Sequence, residues 1–226
     1  MSTSPPALPP QSRTSLSVLG ALGFLVALVL GLRYAGTSGT TGPDAALFAM
    51  IDRAEGLTRQ WAIVIDFSGE PVGAVVVFAA LGLACLLFRR PRTAILLVVS
   101  CTVTIALTTG LKPLTGRLIH GEFLSFPSGH TAFLVTIAAV TGLLVVDVRG
   151  LGPRAGAWVL LGLVALGALA MGWSQVALRA HYPTDVLAGL GVALAVLPVA
   201  GWAIDRVTRA DSTSRAAAGE GEPGHG

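Results

Sequence analysis

The chain has 226 residues, of which 53% are hydrophobic and only 12% charged, with a mean hydropathy of +0.76. Soluble domains carry roughly 25% charged residues, so this composition excludes a water-soluble globular protein and places the chain in a bilayer. The formal charge of +3 is dispersed over short connections without an aromatic-interleaved basic patch, which excludes nucleic acid as a partner.

In chain order, residues 1–14, rich in Pro and Ser, lack an apolar face and are expected to form a disordered tail. Residues 15–209 then read as a single membrane domain. Its apolar runs lie near 16–32, 71–88, 93–111, 131–147, 155–173 and 186–204. Each approaches the ~20 residues that cross ~30 Å of hydrocarbon as a helix. Backbone groups in hydrocarbon must be bonded within their own segment, so these runs predict six helices and an all-α, six-transmembrane bundle. Arg13 before the first run and Ala35-Gly36-Thr37 behind it suit a cleaved signal peptide. The apolar core is long for one, so a retained span is expected. The connection from Arg33 to Glu70 carries a helical pattern over 44–61, started by Pro43-Asp44 and continued by Leu47, Met50, Ile51, Ala54, Leu57 and Trp61. An interfacial helix fits it, either as a plain connector or as a lid or guide for lipid entry. Cys85 and Cys101 fall inside spans at different depths, so neither a disulfide nor a metal pair is expected. Residues 210–226 form a second expected disordered tail.

Basic residues near span ends set orientation. Arg89, Arg90 and Arg92 join the second and third spans, Arg149 and Arg154 the fourth and fifth, and Arg206, Arg209 and Arg215 follow the sixth. With Arg13, these predict a cell-membrane protein with both termini cytoplasmic. Every candidate for chemistry falls in the other set of connections, on the extracytoplasmic face.

There, Lys112, the one lysine of the chain, ends the third span. Alone it reads as a snorkelling anchor, but Arg117, His130, Arg179, His181 and Asp185 gather at the same boundary. Pro127-Ser128-Gly129-His130 opens the fourth span. The N–H groups of a helix start, a glycine without a side chain, the helix dipole and the Ser128 hydroxyl make a cradle for phosphate oxygens; Ser128 as a plain cap and His130 as a packed residue are the alternative. In His181-Tyr182-Pro183-Thr184-Asp185, Pro183 suits a first helical turn, and the carboxylate four residues on can fix the His181 tautomer, leaving a nucleophile or base. An Asp185 that merely caps its own helix is the alternative. No compact metal-ligand spacing is visible.

These motifs resemble the type 2 phosphatidic acid phosphatase superfamily, which includes membrane lipid phosphatases and vanadium haloperoxidases. The resemblance covers about residues 70–204 and is strongest at Pro127-Ser128-Gly129-His130-Thr131 and at His181 through Gly189. It implies that His181 attacks phosphorus to form a phosphohistidine, that Asp185 orients it, and that His130 protonates the leaving oxygen and then activates water. Lys112, Ser128 and the Gly129 N–H are implied to hold the phosphoryl oxygens, with no cofactor and no metal, so activity is expected to survive chelation. The implied function is hydrolysis of a lipid phosphomonoester or diphosphate, such as a polyprenyl diphosphate or phosphatidate.

Two positions depart from the family pattern. Ile119 and His120 stand where Arg-Pro belongs, and Ser174-Gln175 stands where Ser-Arg belongs. Losing an arginine fork from a phosphate clamp costs bidentate hydrogen bonds as well as charge. Arg117, two residues before Ile119, and Arg179, four after Gln175, are the candidate replacements; Arg179 qualifies if its helix continues so that 175 and 179 share a face. His120 is either a third phosphate contact or an ordinary loop histidine. A catalytically silent family member that binds lipid headgroups or scaffolds a membrane complex is the alternative function. Without interrupted helices or mid-membrane charges, a transporter has less support.

Overall fold

The computed structural model describes residues 6–40, 42–51 and 57–219. Within them run eight helices: α1 (Pro10–Tyr34), α2 (Pro43–Ile51), α3 (Leu57–Phe67), α4 (Pro71–Leu87), α5 (Pro91–Thr115), α6 (Gly129–Val148), α7 (Pro153–Ala177) and α8 (Pro183–Gly219). A small antiparallel hairpin, β1 (Leu118–Ile119) and β2 (Phe123–Leu124), lies between α5 and α6. Pro10, Pro43, Pro71, Pro91, Pro153 and Pro183 each open a helix, the position where a missing N–H costs nothing and a fixed φ already suits the helix.

Helices α1, α5, α6, α7 and α8 are each long and apolar enough to cross a membrane. The second expected span is different. Helix α4 has 17 residues and meets α3 at a bend of 61°, so six spans are reached only when α3 and α4 count as one broken span. The expected interfacial helix over 44–61 is likewise corrected: it divides into α2 and the start of α3, with residues 52–56 outside the described residues. The break follows from Ser68-Gly69-Glu70-Pro71, since proline in a helix interior removes a hydrogen bond and clashes with the preceding turn.

Helix α6 is the centre of the bundle. Of its most apolar window 67% is buried, against 17% for α1, and Val135, Ala139, Val140 and Leu143 lie in the main core with Leu96 and Leu97 of α5 and Leu160 of α7. Helix α1 packs on α8 almost backbone to backbone: a Cβ added to Gly191 stands 2.4 Å from the Gly23 carbonyl oxygen. Small residues that admit such approach drive helix pairing in hydrocarbon.

Both expected tails are partly ordered. Asp205 on α8 accepts the Ala7 N–H at 2.7 Å and pairs with Arg13 at 3.0 Å, while Ala7 and Leu8 are buried. Helix α8 continues to Gly219 because Ala and Arg extend a helix at little cost. Residues 1–5 and 220–226 lie outside the described residues. Arg90 of the α4–α5 connection pairs with Asp147 at the end of α6, 2.6 Å apart; Cys85 and Cys101 are buried free thiols.

Candidate active site

The end of the bundle opposite Arg90 and Asp147 gathers the starts of α6 and α8, the end of α5, the hairpin and the α3–α4 break. Ser128 caps α6, its Oγ accepting the Thr131 N–H at 3.4 Å, and its own N–H donates to the Asp185 carbonyl at 3.0 Å. Helix α8 comes this close because residue 189 is glycine: a Cβ there stands 2.4 Å from the Ser128 carbonyl oxygen. The two motif-bearing helix starts are thereby locked together, and the positive ends of their dipoles converge.

His181 is buried in the connection between α7 and α8. Its Nδ1 lies 3.7 Å from Asp185 Oδ2, slightly longer than a hydrogen bond. Burial pushes the imidazole below its ordinary pKa; the Asp185 carboxylate opposes that shift, and the charges of Lys112 and His130 reinforce it. The shift favours the neutral imidazole. Lys112, in the last turn of α5, donates to the Leu124 carbonyl at 3.1 Å, which ties the end of the span to β2. The structure thus brings Lys112, Ser128, Gly129, His130, His181 and Asp185 to one place.

Arg117, a candidate replacement for the missing arginine, is turned to protein partners. It is fully buried, with Nη1 2.5 Å from Asp185 Oδ1 and 2.6 Å from the Thr184 hydroxyl, and Nη2 2.6 Å from Asp44 Oδ2. Its guanidinium lies 4.2 Å from the ring centres of both Tyr34 and Tyr182, so its charge, both Nη groups and its faces are taken by protein, while Nε is buried without a hydrogen-bond partner. Arg179 also departs from expectation. Helix α7 ends at Ala177, and Arg179 takes a left-handed φ of 58°, so 175 and 179 share no helix face; its guanidinium lies 4.0 Å from the Phe48 ring centre. Ile119 is buried beside Phe48, Val176 and Tyr182, a core position. His120 Nε2 is 2.9 Å from the Arg179 carbonyl, the structural loop histidine of the two readings.

Three carboxylates join the site from segments the motifs do not cover. Asp44, at the start of α2 and fully buried, accepts the Thr184 N–H at 2.9 Å and its hydroxyl at 3.0 Å, capping α8 from another helix. Asp66 of α3 accepts from Gln175 Nε2 at 2.5 Å. His130 Nε2 sits 3.9 Å from Asp66 Oδ1 and 3.6 Å from Glu70 Oε1. One ligand atom from each of these three residues falls within 4.8 Å of the others, a spacing able to hold a metal ion. Gly69 makes this possible, since a Cβ there would stand 2.4 Å from His130 Cδ2. The signal for Asp66 and Glu70 was their i, i+4 spacing at the end of an apolar run in the connection that faces the motifs.

Residues 112–209 match the PAP2 superfamily. Among solved structures, the chain is similar to a transmembrane PAP2-type phosphatidylglycerolphosphate phosphatase from Bacillus subtilis, with a TM-score of 0.64 and 20% identity over 80% of this chain and 93% of that one. No curated protein matches.

Proposed function

From the match of residues 112–209 to the PAP2 superfamily, we propose that this protein is a membrane lipid phosphatase that works through a phosphohistidine. The observation that carries the reading is the His181–Asp185 pair packed against the start of α6, with His130 and Lys112 beside it. His181 attacks phosphorus while a proton on His130 passes to the leaving oxygen. The deprotonated His130 then takes a proton from water, which attacks the phosphohistidine and frees phosphate and His181. Lys112, the Ser128 hydroxyl and the first N–H groups of α6 hold the phosphoryl oxygens. Arg117 positions Asp185 from behind. None of these steps draws on a metal, so turnover continues in chelator.

A lipid is favoured because an apolar groove of about 370 Å³ between α1, α5 and α8 runs along Phe24, Leu28, Leu32, Leu107, Leu111 and Phe126, and Leu111 adjoins Lys112. Phosphatidylglycerol phosphate, the substrate class in the B. subtilis enzyme's description, polyprenyl diphosphates and phosphatidate all suit a tail in that groove and a phosphate at its end. The arginine-rich ends that carry Arg90 and Arg154 lie away from the site, which supports an extracytoplasmic active site in the cell membrane with cytoplasmic termini. The burial of Ile119 and the Gln175–Asp66 bond support a second reading, a silent member that binds headgroups. Phosphate release from a panel of lipid phosphates and diphosphates in chelator, beside His181→Ala, decides between them. Release that vanishes in the variant supports the enzyme, and binding without release supports the silent member.

A further inference from the structure

Asp66 and Glu70 flank His130, yet neither bonds to it: both separations, 3.9 and 3.6 Å, exceed a hydrogen bond. His130 Nε2 has less than 1 Å² of exposed surface and no hydrogen-bond partner. Next to Asp66 lies Gln175, 0% exposed, whose Nε2 bonds Asp66 while its Oε1 is buried and unpartnered. Leaving such groups unsatisfied is costly, so an unpartnered imidazole nitrogen beside two carboxylates, with an unpartnered amide oxygen on the neighbouring Gln175, calls for a ligand.

Charge and spacing agree on which ligand. An arginine at 175 would neutralise Asp66, whereas glutamine leaves it and Glu70 with no lysine or arginine partner among the described residues and with His130, a cation only when protonated, at 3.9 and 3.6 Å. Ligands about 2.1 Å from a cation stand about 3–4.2 Å from one another in regular geometries, and the present separations need only small side-chain movements to match. Turning the Gln175 amide places Oε1 toward Asp66, an arrangement that is repulsive unless a cation lies between them. Two carboxylates, one imidazole and one amide oxygen suit Mn²⁺ or Zn²⁺ better than soft or purely oxygen-seeking ions.

We infer that Asp66, Glu70, His130 and Gln175 form a divalent-cation site whose occupancy ties up His130 Nε2. Resting on the lipid-phosphatase reading, the functional consequence is inhibition. A ligated Nε2 carries no proton for the leaving oxygen and has no lone pair for water, so the cation-bound and proton-transferring states of His130 exclude one another.

The test uses full-length protein in detergent, stripped with chelator and titrated with Mn²⁺ (followed by EPR) and separately with Co²⁺ (followed by its visible spectrum). About one ion bound in the parent, lost or weakened at least tenfold in Glu70→Gln and in His130→Ala, supports the site; no bound ion, or equal binding in both variants, overturns it. Glu70 is half exposed with no side-chain cap bond, so Glu70→Gln keeps the test valid even if His130→Ala does not fold. In the activity arm, Mn²⁺ slows phosphate release by the parent at least tenfold relative to chelator and leaves the Glu70→Gln ratio near one. Bound Mn²⁺ with an unchanged or raised rate overturns the exclusion. No release in chelator, with Mn²⁺ still bound, refutes the phosphatase and upholds the site.

Discussion

Arg117→Leu tests the buried network behind His181. The side chain it removes pairs with Asp44 and Asp185, all three groups at 0% exposure. Breaking one buried ion pair by removing a partner costs about 3–5 kcal/mol because a charge is left uncompensated. Two carboxylates are stranded here, but each keeps other donors: Asp44 the Thr184 N–H and hydroxyl, Asp185 the Tyr182 N–H at 3.1 Å. The loss therefore stays within that range, near its upper end. Asp44→Asn removes one stranded charge while keeping much of the cap, so Arg117→Leu costs less in that background, with a coupling of about 2 kcal/mol. Thermal or denaturant unfolding in detergent of the parent, both singles and the double supplies the cycle. Phosphate release checks the link to chemistry, since Asp185 and with it His181 lose their support. A coupling below about 0.5 kcal/mol, or full turnover in Arg117→Leu, refutes the network as a unit that positions Asp185.

The pH profile follows from His181. Burial holds its pKa below the ordinary ~6.5, so the neutral nucleophile persists as pH falls through 6.5, and the acid limb of kcat/KM has its midpoint below that value; a midpoint above 7 refutes the assignment. The same group makes stability fall with pH below ~6.5, where the unfolded chain takes up a proton before the folded one does. Gly69→Ala drives a methyl to 2.4 Å from the His130 ring and displaces it, so turnover drops on the order of 10²-fold with helix content unchanged; turnover within twofold of the parent counts against the close approach. Asp205→Ala frees the Ala7 N–H and Arg13, and tryptic cleavage after Arg13 accelerates about tenfold or more; an unchanged rate shows the N-terminal segment is held by other contacts.

The spans were legible because hydropathy is a sum over some twenty residues, and because proline marks the helix starts one by one. Lys112, Ser128, His130, His181 and Asp185 were legible because each motif sits on a helix terminus whose end of the bundle follows from counting spans. The rest depended on contacts far apart in sequence. Arg117 reads locally as a free cation near a vacant position; only the fold shows Asp44, 73 residues away, taking its charge. The helix face expected to join Arg179 to Gln175 is broken by a single backbone feature, the left-handed turn just past the end of α7. The His120-Gly121 turn, left-handed at both residues, went unread because histidine is a weaker hairpin signal than asparagine or aspartate. The α3–α4 break was written in Gly69 and Pro71, yet its consequence, two carboxylates beside His130, requires knowing which helix the break faces.

The contact of Arg117 with Asp44 also bears on modularity. The family region begins at residue 112, but Asp44, Tyr34, Asp66 and Glu70 all come before it. Cut at that boundary, the recognisable half would carry a buried guanidinium with one carboxylate instead of two and no aromatic cover from Tyr34. The end of the bundle that holds the motifs is therefore a joint product of both halves of the chain. Transplanting residues 112–209 onto another membrane scaffold would carry over the motifs without the environment that sets their charge.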